Sequence, residues 1–138
     1  MANTINSNYI VKDAGKNTVR LYWTLLSDGS NETNTIVYNS STIATALGIP
    51  NPSHCSVLSV CASVSSASGQ VKFLFKASTN VVAFVIPNTS NHLCKDYEHM
   101  MGGLPNYAGS GITGDIVVTT TGLSSGDAID LLLEVRAV

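Results

Sequence analysis

Apolar residues recur at every second position along most of this chain. In residues 18–27, Val19, Leu21, Trp23 and Leu25 fall on one side and Arg20, Tyr22 and Thr24 on the other, the period-2 pattern of a half-buried strand. Asp28-Gly29 follows, a dipeptide that supplies the positive φ angles of a chain reversal, and a short strand is predicted near 35–38. Residues 55–64 can place Leu58, Val60, Ala62 and Val64 on one face before Ser65-Ser66-Ala67-Ser68-Gly69 breaks the run. In 70–76, Val71, Phe73 and Phe75 oppose Lys72 and Lys76, with Leu74 between the lysines. The unbroken apolar run 81–86 opens with two β-branched valines, is too short for an ordinary helix, and predicts a buried strand that Pro87 ends. Residues 114–121 and 128–136 predict a closing pair of strands, with Ile129, Leu131, Leu133 and Val135 facing inward in the second.

With 9–12 as a first strand the count is eight. Helical spacing occurs at Ile43, Ala44 and Leu47, but this stretch ends at Ile49-Pro50-Asn51-Pro52 and allows at most a short turn of helix. Short strands separated by Gly, Pro, Asn and Ser predict an all-β fold, an antiparallel β-sandwich of about eight strands, with the jelly roll among its topologies. The expected organisation is a flexible polar arm over 1–7 and a single sandwich domain over 8–138. A chain of 138 residues can bury about two thirds of its unfolded surface in one core. Residues 88–113 show no sustained periodicity and are longer than connecting loops usually are, so they are expected to carry structure of their own or a contact surface.

Composition narrows the partners. Charged residues make up 12% and the net charge is -2, so neither a basic nucleic-acid footprint nor an acidic tail is present and no nucleic-acid partner is expected. The N-terminus lacks a basic region followed by an apolar run, and no stretch approaches the roughly 18 apolar residues of a membrane helix. The expectation is a soluble protein made in the cytoplasm, with no membrane partner. Cys55, Cys61 and Cys94 are an odd count at unremarkable spacing, which predicts reduced, mostly buried thiols rather than a disulfide framework. Asn31-Glu32-Thr33, Asn39-Ser40-Ser41 and Asn88-Thr89-Ser90 match the glycosylation acceptor, but without a secretory signal they read as chance products of an Asn/Ser/Thr-rich surface.

Several residue sets could carry chemistry. His92, Cys94, Asp96 and Glu98 sit at alternate positions with His99 adjacent, a set of metal-ligand types. Four such ligands on one flat strand span about 20 Å, too far to converge on one ion, so a solvated polar loop is the expected reading and no metal or cofactor is assigned. A nucleophilic pair could combine Cys55 or Cys94 with His54, His92 or His99, but no family-specific cysteine signature or Gly-x-Ser-x-Gly elbow accompanies it, and no catalytic residue is assigned. Gly109-Ser110-Gly111-Ile112-Thr113-Gly114 has the spacing of a dinucleotide loop, yet it leads into Ile116-Val117-Val118-Thr119, a strand, so a tight glycine turn is expected instead of a phosphate cradle. Tyr22, Trp23, Tyr97 and Tyr107 raise sugar stacking; Trp23 lies on the apolar face of its strand and is expected in the core. Tyr97, Met100, Met101, Leu104 and Tyr107 fall in the irregular segment and are the candidate protein-contact residues, since exposed Met and Tyr suit protein interfaces.

Three stretches carry a family resemblance: the early strand leading to Ser27-Asp28-Gly29-Ser30; Val71-Lys72-Phe73-Leu74-Phe75-Lys76-Ala77-Ser78-Thr79; and the block from Gly102-Gly103-Leu104 through Gly109-Ser110-Gly111-Ile112-Thr113-Gly114-Asp115-Ile116, followed by Gly122, Ser125-Gly126-Asp127 and a final amphipathic strand. In this order the chain resembles small virion structural proteins of tailed bacteriophages of marine bacteria, of the capsid decoration or cement kind. The resemblance implies a β-rich fold without enzymatic activity or cofactor, synthesised in the host bacterial cytoplasm. It also implies many copies on the capsid surface of the virion, bound to the major capsid protein or to other virion proteins and arranged as a homo-oligomer. His92-Leu93-Cys94 and Met100-Met101 depart from it, in a loop where family members are expected to vary. Contacts are expected from residues 88–110 and the arm 1–7. The readings from other classes are a tail- or fibre-associated carbohydrate-binding adhesin module and a small metal-dependent enzyme using His92, Cys94 and His99.

Overall fold

Each strand expected from period-2 alternation is present in the computed structural model, which describes residues 3–50, 55–66, 69–87 and 91–137. In chain order the elements are β1 (Thr4–Asp13), β2 (Thr18–Leu26), β3 (Thr35–Tyr38), α1 (Ser40–Leu47), β4 (Cys55–Ser65), β5 (Gln70–Phe75), β6 (Val81–Ile86), β7 (His92–Asp96), α2 (Tyr97–Met101), β8 (Leu104–Pro105), β9 (Ile116–Thr121) and β10 (Ala128–Ala137). Two antiparallel sheets result. One is six-stranded in the order β1-β2-β10-β4-β7, with β8 also paired to β4; the other is four-stranded in the order β3-β9-β5-β6. Setting aside the peripheral β1 and β8 leaves β2-β10-β4-β7 facing β3-β9-β5-β6. Eight strands that interleave early and late parts of the chain in two sheets form a jelly roll, the narrower of the expected topologies.

The inward rows match the alternation. Val19, Leu21, Trp23 and Leu25 of β2, Val60, Ala62 and Val64 of β4, Val71, Phe73 and Phe75 of β5, and Ile129, Leu131, Leu133 and Val135 of β10 are all buried. The aromatic residues join the two layers. The Trp23 ring meets Phe73 edge to face at 6.2 Å, and Phe73 stacks on Phe84 of β6 at 4.9 Å, geometries that add to the area these rings bury. In β4 the register against β10 shifts between Glu134 and Val135, so Leu58 has no β10 partner. Both Val57 and Leu58 are buried as a result, as a bulge permits.

Four expectations are corrected by the fold. The first strand starts at Thr4 rather than Tyr9, and residues 4–7 of the expected arm pair with Leu26 to Trp23 of β2. Asn3 is held too: its side chain accepts from the Asp28 amide and donates to Glu32. Residues 40–47 form an eight-residue helix rather than a short turn, because Asn39 accepts from the Thr42 amide at its start and Gly48 closes it in the left-handed region. The run 81–86 is not fully buried, since β6 is the sheet's edge and leaves Val82 and Val85 exposed while Phe84 and Ile86 face the core. Residues 92–96, expected as a solvated polar loop, form β7, a strand that apolar alternation did not announce because only Leu93 is partly buried and none of its residues is fully buried.

Candidate functional site

The outer face of the six-stranded sheet is a grid set by register. One row crosses the sheet as Asn8, Tyr22, Leu132, Cys61 and Cys94; the next is Ile10, Arg20, Glu134, Ser59 and Asp96; on the other side runs Asn6, Thr24, Asp130, Ser63 and His92. Most charges on it are paired. Glu134 accepts from Lys12 at 2.5 Å and from Arg20 at 3.4 Å, which ties β1 across β2 to β10, and Arg136 meets Glu98 at 3.2 Å. The Tyr22 phenol is raised above its ordinary pKa, first by its hydrogen bond to Asp130 and then by that carboxylate's charge. An open depression of about 570 Å³ lies over Arg20, Cys61, Cys94, Asp96 and Glu134.

Along one margin runs β1. All ten of its residues are exposed, and among the described residues it pairs with β2 alone, so alternate N–H and C=O groups point away from the sheet, the arrangement that invites a further partner. The row Ile5, Ser7, Tyr9 and Val11 faces the same way as the buried row of β2, but it overhangs the narrower sheet. Ile5, Tyr9 and Val11 stay exposed there, as do Ile10 on the opposite face and Ile36 on β3. A groove of about 350 Å³ opens between Ser7 and Tyr9 of β1, Ile36 of β3 and Thr42 and Ile43 of α1.

The five residues expected to make contacts divide. Met100, Met101 and Tyr107 are exposed, at 70%, 58% and 58%. Tyr107 is nevertheless anchored, donating its hydroxyl hydrogen to the Val82 carbonyl at 2.6 Å and setting its ring edge against Phe75. Leu104 is half-buried against the core. Tyr97 is buried, and burial raises its phenol pKa; the first residue of α2 is thus a core residue, and the expected Tyr97 contact is corrected. The pair Tyr97 and Tyr107 consequently forms no exposed sugar-stacking platform.

The cysteines depart most from expectation. Only Cys55 is a buried thiol, and burial, with Asp115 adding to it, pushes its pKa up to about 12. It is protonated at neutral pH, the opposite of an activated nucleophile. His54, one of the histidines considered as its partner, lies outside the described residues. Cys61 and Cys94 stand directly opposite each other on β4 and β7, with Cα atoms 4.1 Å apart, and are joined as a disulfide on the exposed face. The expectation of reduced, buried thiols fails here because a strand pairing brings together two residues distant in sequence. His92 lies two residues before Cys94 on the same face, and its imidazole and the two sulfurs lie within 4.8 Å of one another. The remaining members of the sequence set are engaged elsewhere. Asp96 accepts from the His99 amide at the start of α2 and pairs with the His99 ring at 2.5 Å, and Glu98 holds Arg136. Sequence spacing missed Cys61 as a neighbour; a strand over 92–96 paired with β4 was the signal that would have found it.

The glycine-rich loop behaves as a turn. Gly111 has φ +81, and a Cβ there would overlap the Ser78 hydroxyl and lie 2.8 Å from its backbone nitrogen. Ser78 donates its amide hydrogen to Ser110, locking the loop to the end of β5, and the chain continues into β9 rather than a helix.

The fold and surface define an antiparallel jelly-roll sandwich with an exposed edge strand and, among the described residues, no helix long and apolar enough to cross a membrane. No protein-family model matches the chain, and no curated protein matches it.

Proposed function

We propose that this chain is a non-enzymatic structural protein of a tailed-bacteriophage particle, a capsid decoration or cement protein that binds the major capsid protein on the outside of the head. The observation that carries the reading is the β1 margin: a ten-residue edge strand exposed throughout, with Ile5, Tyr9, Ile10, Val11 and the neighbouring Ile36 offering apolar surface. The sequence resemblance supports it, as does a jelly roll, an architecture used by viral capsid proteins and also by lectins, so the fold alone does not choose between them.

Such a protein stabilises a shell by straddling neighbouring subunits, so that separating them also breaks its contacts. Many modest contacts on one particle then add through multivalency. An interface of about 800 Å² per partner is the standard size, and β1 with its groove gives it both main-chain hydrogen-bonding groups and apolar anchors. Met100 and Met101 would add adaptable contact.

The test uses particles with and without the protein. Purified particles contain it in many copies, particles lacking it release DNA at a lower temperature, and added protein restores the release temperature. The double variant Tyr9→Asp, Ile10→Asp, altered only at exposed positions, binds stripped particles at least tenfold more weakly. Particles that never contain the protein, or whose heat stability is indifferent to it, contradict the proposal.

A further inference from the structure

The cluster of Cys61, His92 and Cys94 is not used by the capsid reading and has a chemistry of its own. We propose that, with the Cys61–Cys94 bond reduced, these three side chains form an open transition-metal site that takes Zn²⁺ or a similarly thiophilic ion. Two thiolates and one imidazole are the donor types that zinc prefers, and they select against hard ions such as Mg²⁺ and Ca²⁺.

Geometry supports the assignment. The donors come from two paired strands, with Cys61 opposite Cys94 and His92 two residues along on the same face, and their ligand atoms already lie within 4.8 Å of one another. Zinc–sulfur and zinc–nitrogen bonds of about 2.3 and about 2.0 Å at tetrahedral angles place the ligand atoms roughly 3.5–3.8 Å apart. Once the sulfurs are no longer bonded, separation within the observed spread is all that is needed. Asp130 lines the same depression as Cys61 and His92 and adds negative charge that favours a cation. All three ligands are exposed, so the fourth position is open to water.

Disulfide and metal are alternative states of the same two sulfurs. A dithiol reductant gives the pair two electrons and two protons and is itself oxidised to a disulfide; the ion then displaces the two thiol protons as both thiolates coordinate. Either state clips the edge strand β7 to β4, and only the reduced one carries an ion. The inference stands independently of the capsid proposal.

Co²⁺ is the probe, added without oxygen to protein that has been reduced and freed of reductant. The expected result is about one Co²⁺ per chain, with a thiolate-to-cobalt charge-transfer band in the near ultraviolet that Zn²⁺ abolishes and that oxidised protein does not show. Cys61→Ser and Cys94→Ser should lose the two-thiolate band. His92→Ala should bind at least about tenfold more weakly, no less than the loss of a supporting group around a metal. All three substitutions are on the exposed face, and circular dichroism confirms that each variant is folded. Reduced wild-type protein without the band, a band that survives Cys61→Ser through Cys55, or one unchanged by His92→Ala overturns the assignment.

Discussion

At the scale of single residues, the core is concentrated in a few side chains. Phe73 is fully buried and touches aromatic partners in both layers, so Phe73→Ala should cost about 3–5 kcal/mol, read as a lower urea midpoint with the slope unchanged. Gly111 is fixed by both conformation and space. Gly111→Ala places a methyl group against the Ser78 backbone and should cost about 1–3 kcal/mol of overpacking beyond its left-handed strain. Gly126→Ala, at φ +92 with open space around it, bears the strain alone and should cost less in the same denaturation experiment. On the surface, Asp96 lies below its ordinary pKa, chiefly through the hydrogen bonds it accepts from the His99 amide and ring. His99 lies above 6.5, through its hydrogen bond to Asp96 and then that carboxylate's charge. The raised His99 pKa means its contribution is complete below 6.5 and lost as pH rises through the folded value. The lowered Asp96 pKa means its contribution is present above the ordinary carboxylate value of 3.8 and lost as pH falls through the folded one. In an NMR titration the His99 ring should have its midpoint above 6.5 and move back toward that value in Asp96→Asn; an unmoved midpoint would remove the pairing.

At the scale of elements, legibility followed burial. Strands with one face in the core, such as β2, β5 and β10, show in the sequence as alternating rows because one side must be apolar. Edges do not. β7 is expressed as His-Leu-Cys-Lys-Asp with only Leu93 partly buried, so its pattern resembles a polar loop, and the Cys61–Cys94–His92 cluster stayed hidden with it. β1 was half legible, since Thr4, Asn6 and Ser7 carry polar side chains and, with Ile5, reveal their strand only through pairing with β2. α1 was underestimated because its apolar positions are few; the signals that define its length are Asn39 and Gly48 at its ends. The disulfide closes a segment of sequence separation 33, for which a cross-link is worth about 2–4 kcal/mol. Reducing it should lower stability by that order, and amide hydrogen exchange should quicken in β7 before β10, which has a paired strand on each side. Uniform protection after reduction would show that β7 is held by pairing alone.

At the scale of the whole molecule, the paired sheets supply a rigid body and the unequal sheet widths supply its surface. The larger sheet is five strands wide, with β8 beside β4 in line with β7, and the smaller is four, so the wide sheet overhangs and β1 carries exposed apolar residues instead of core. Alternation predicted the two-layer body and not the overhang, because a strand's sequence does not state how far the opposite sheet extends. The contact residues expected from the irregular segment were partly legible for the same reason: Met100, Met101 and Tyr107 are exposed, whereas Tyr97 turns into the core as α2 begins. The capsid reading therefore rests most on the β1 margin, and a reconstructed map of the intact phage particle tests it most directly. The account predicts a two-layer sandwich in many copies on the outer surface of the head, with the β1 margin against the shell. A head surface without that density, or copies confined to the tail, would contradict it.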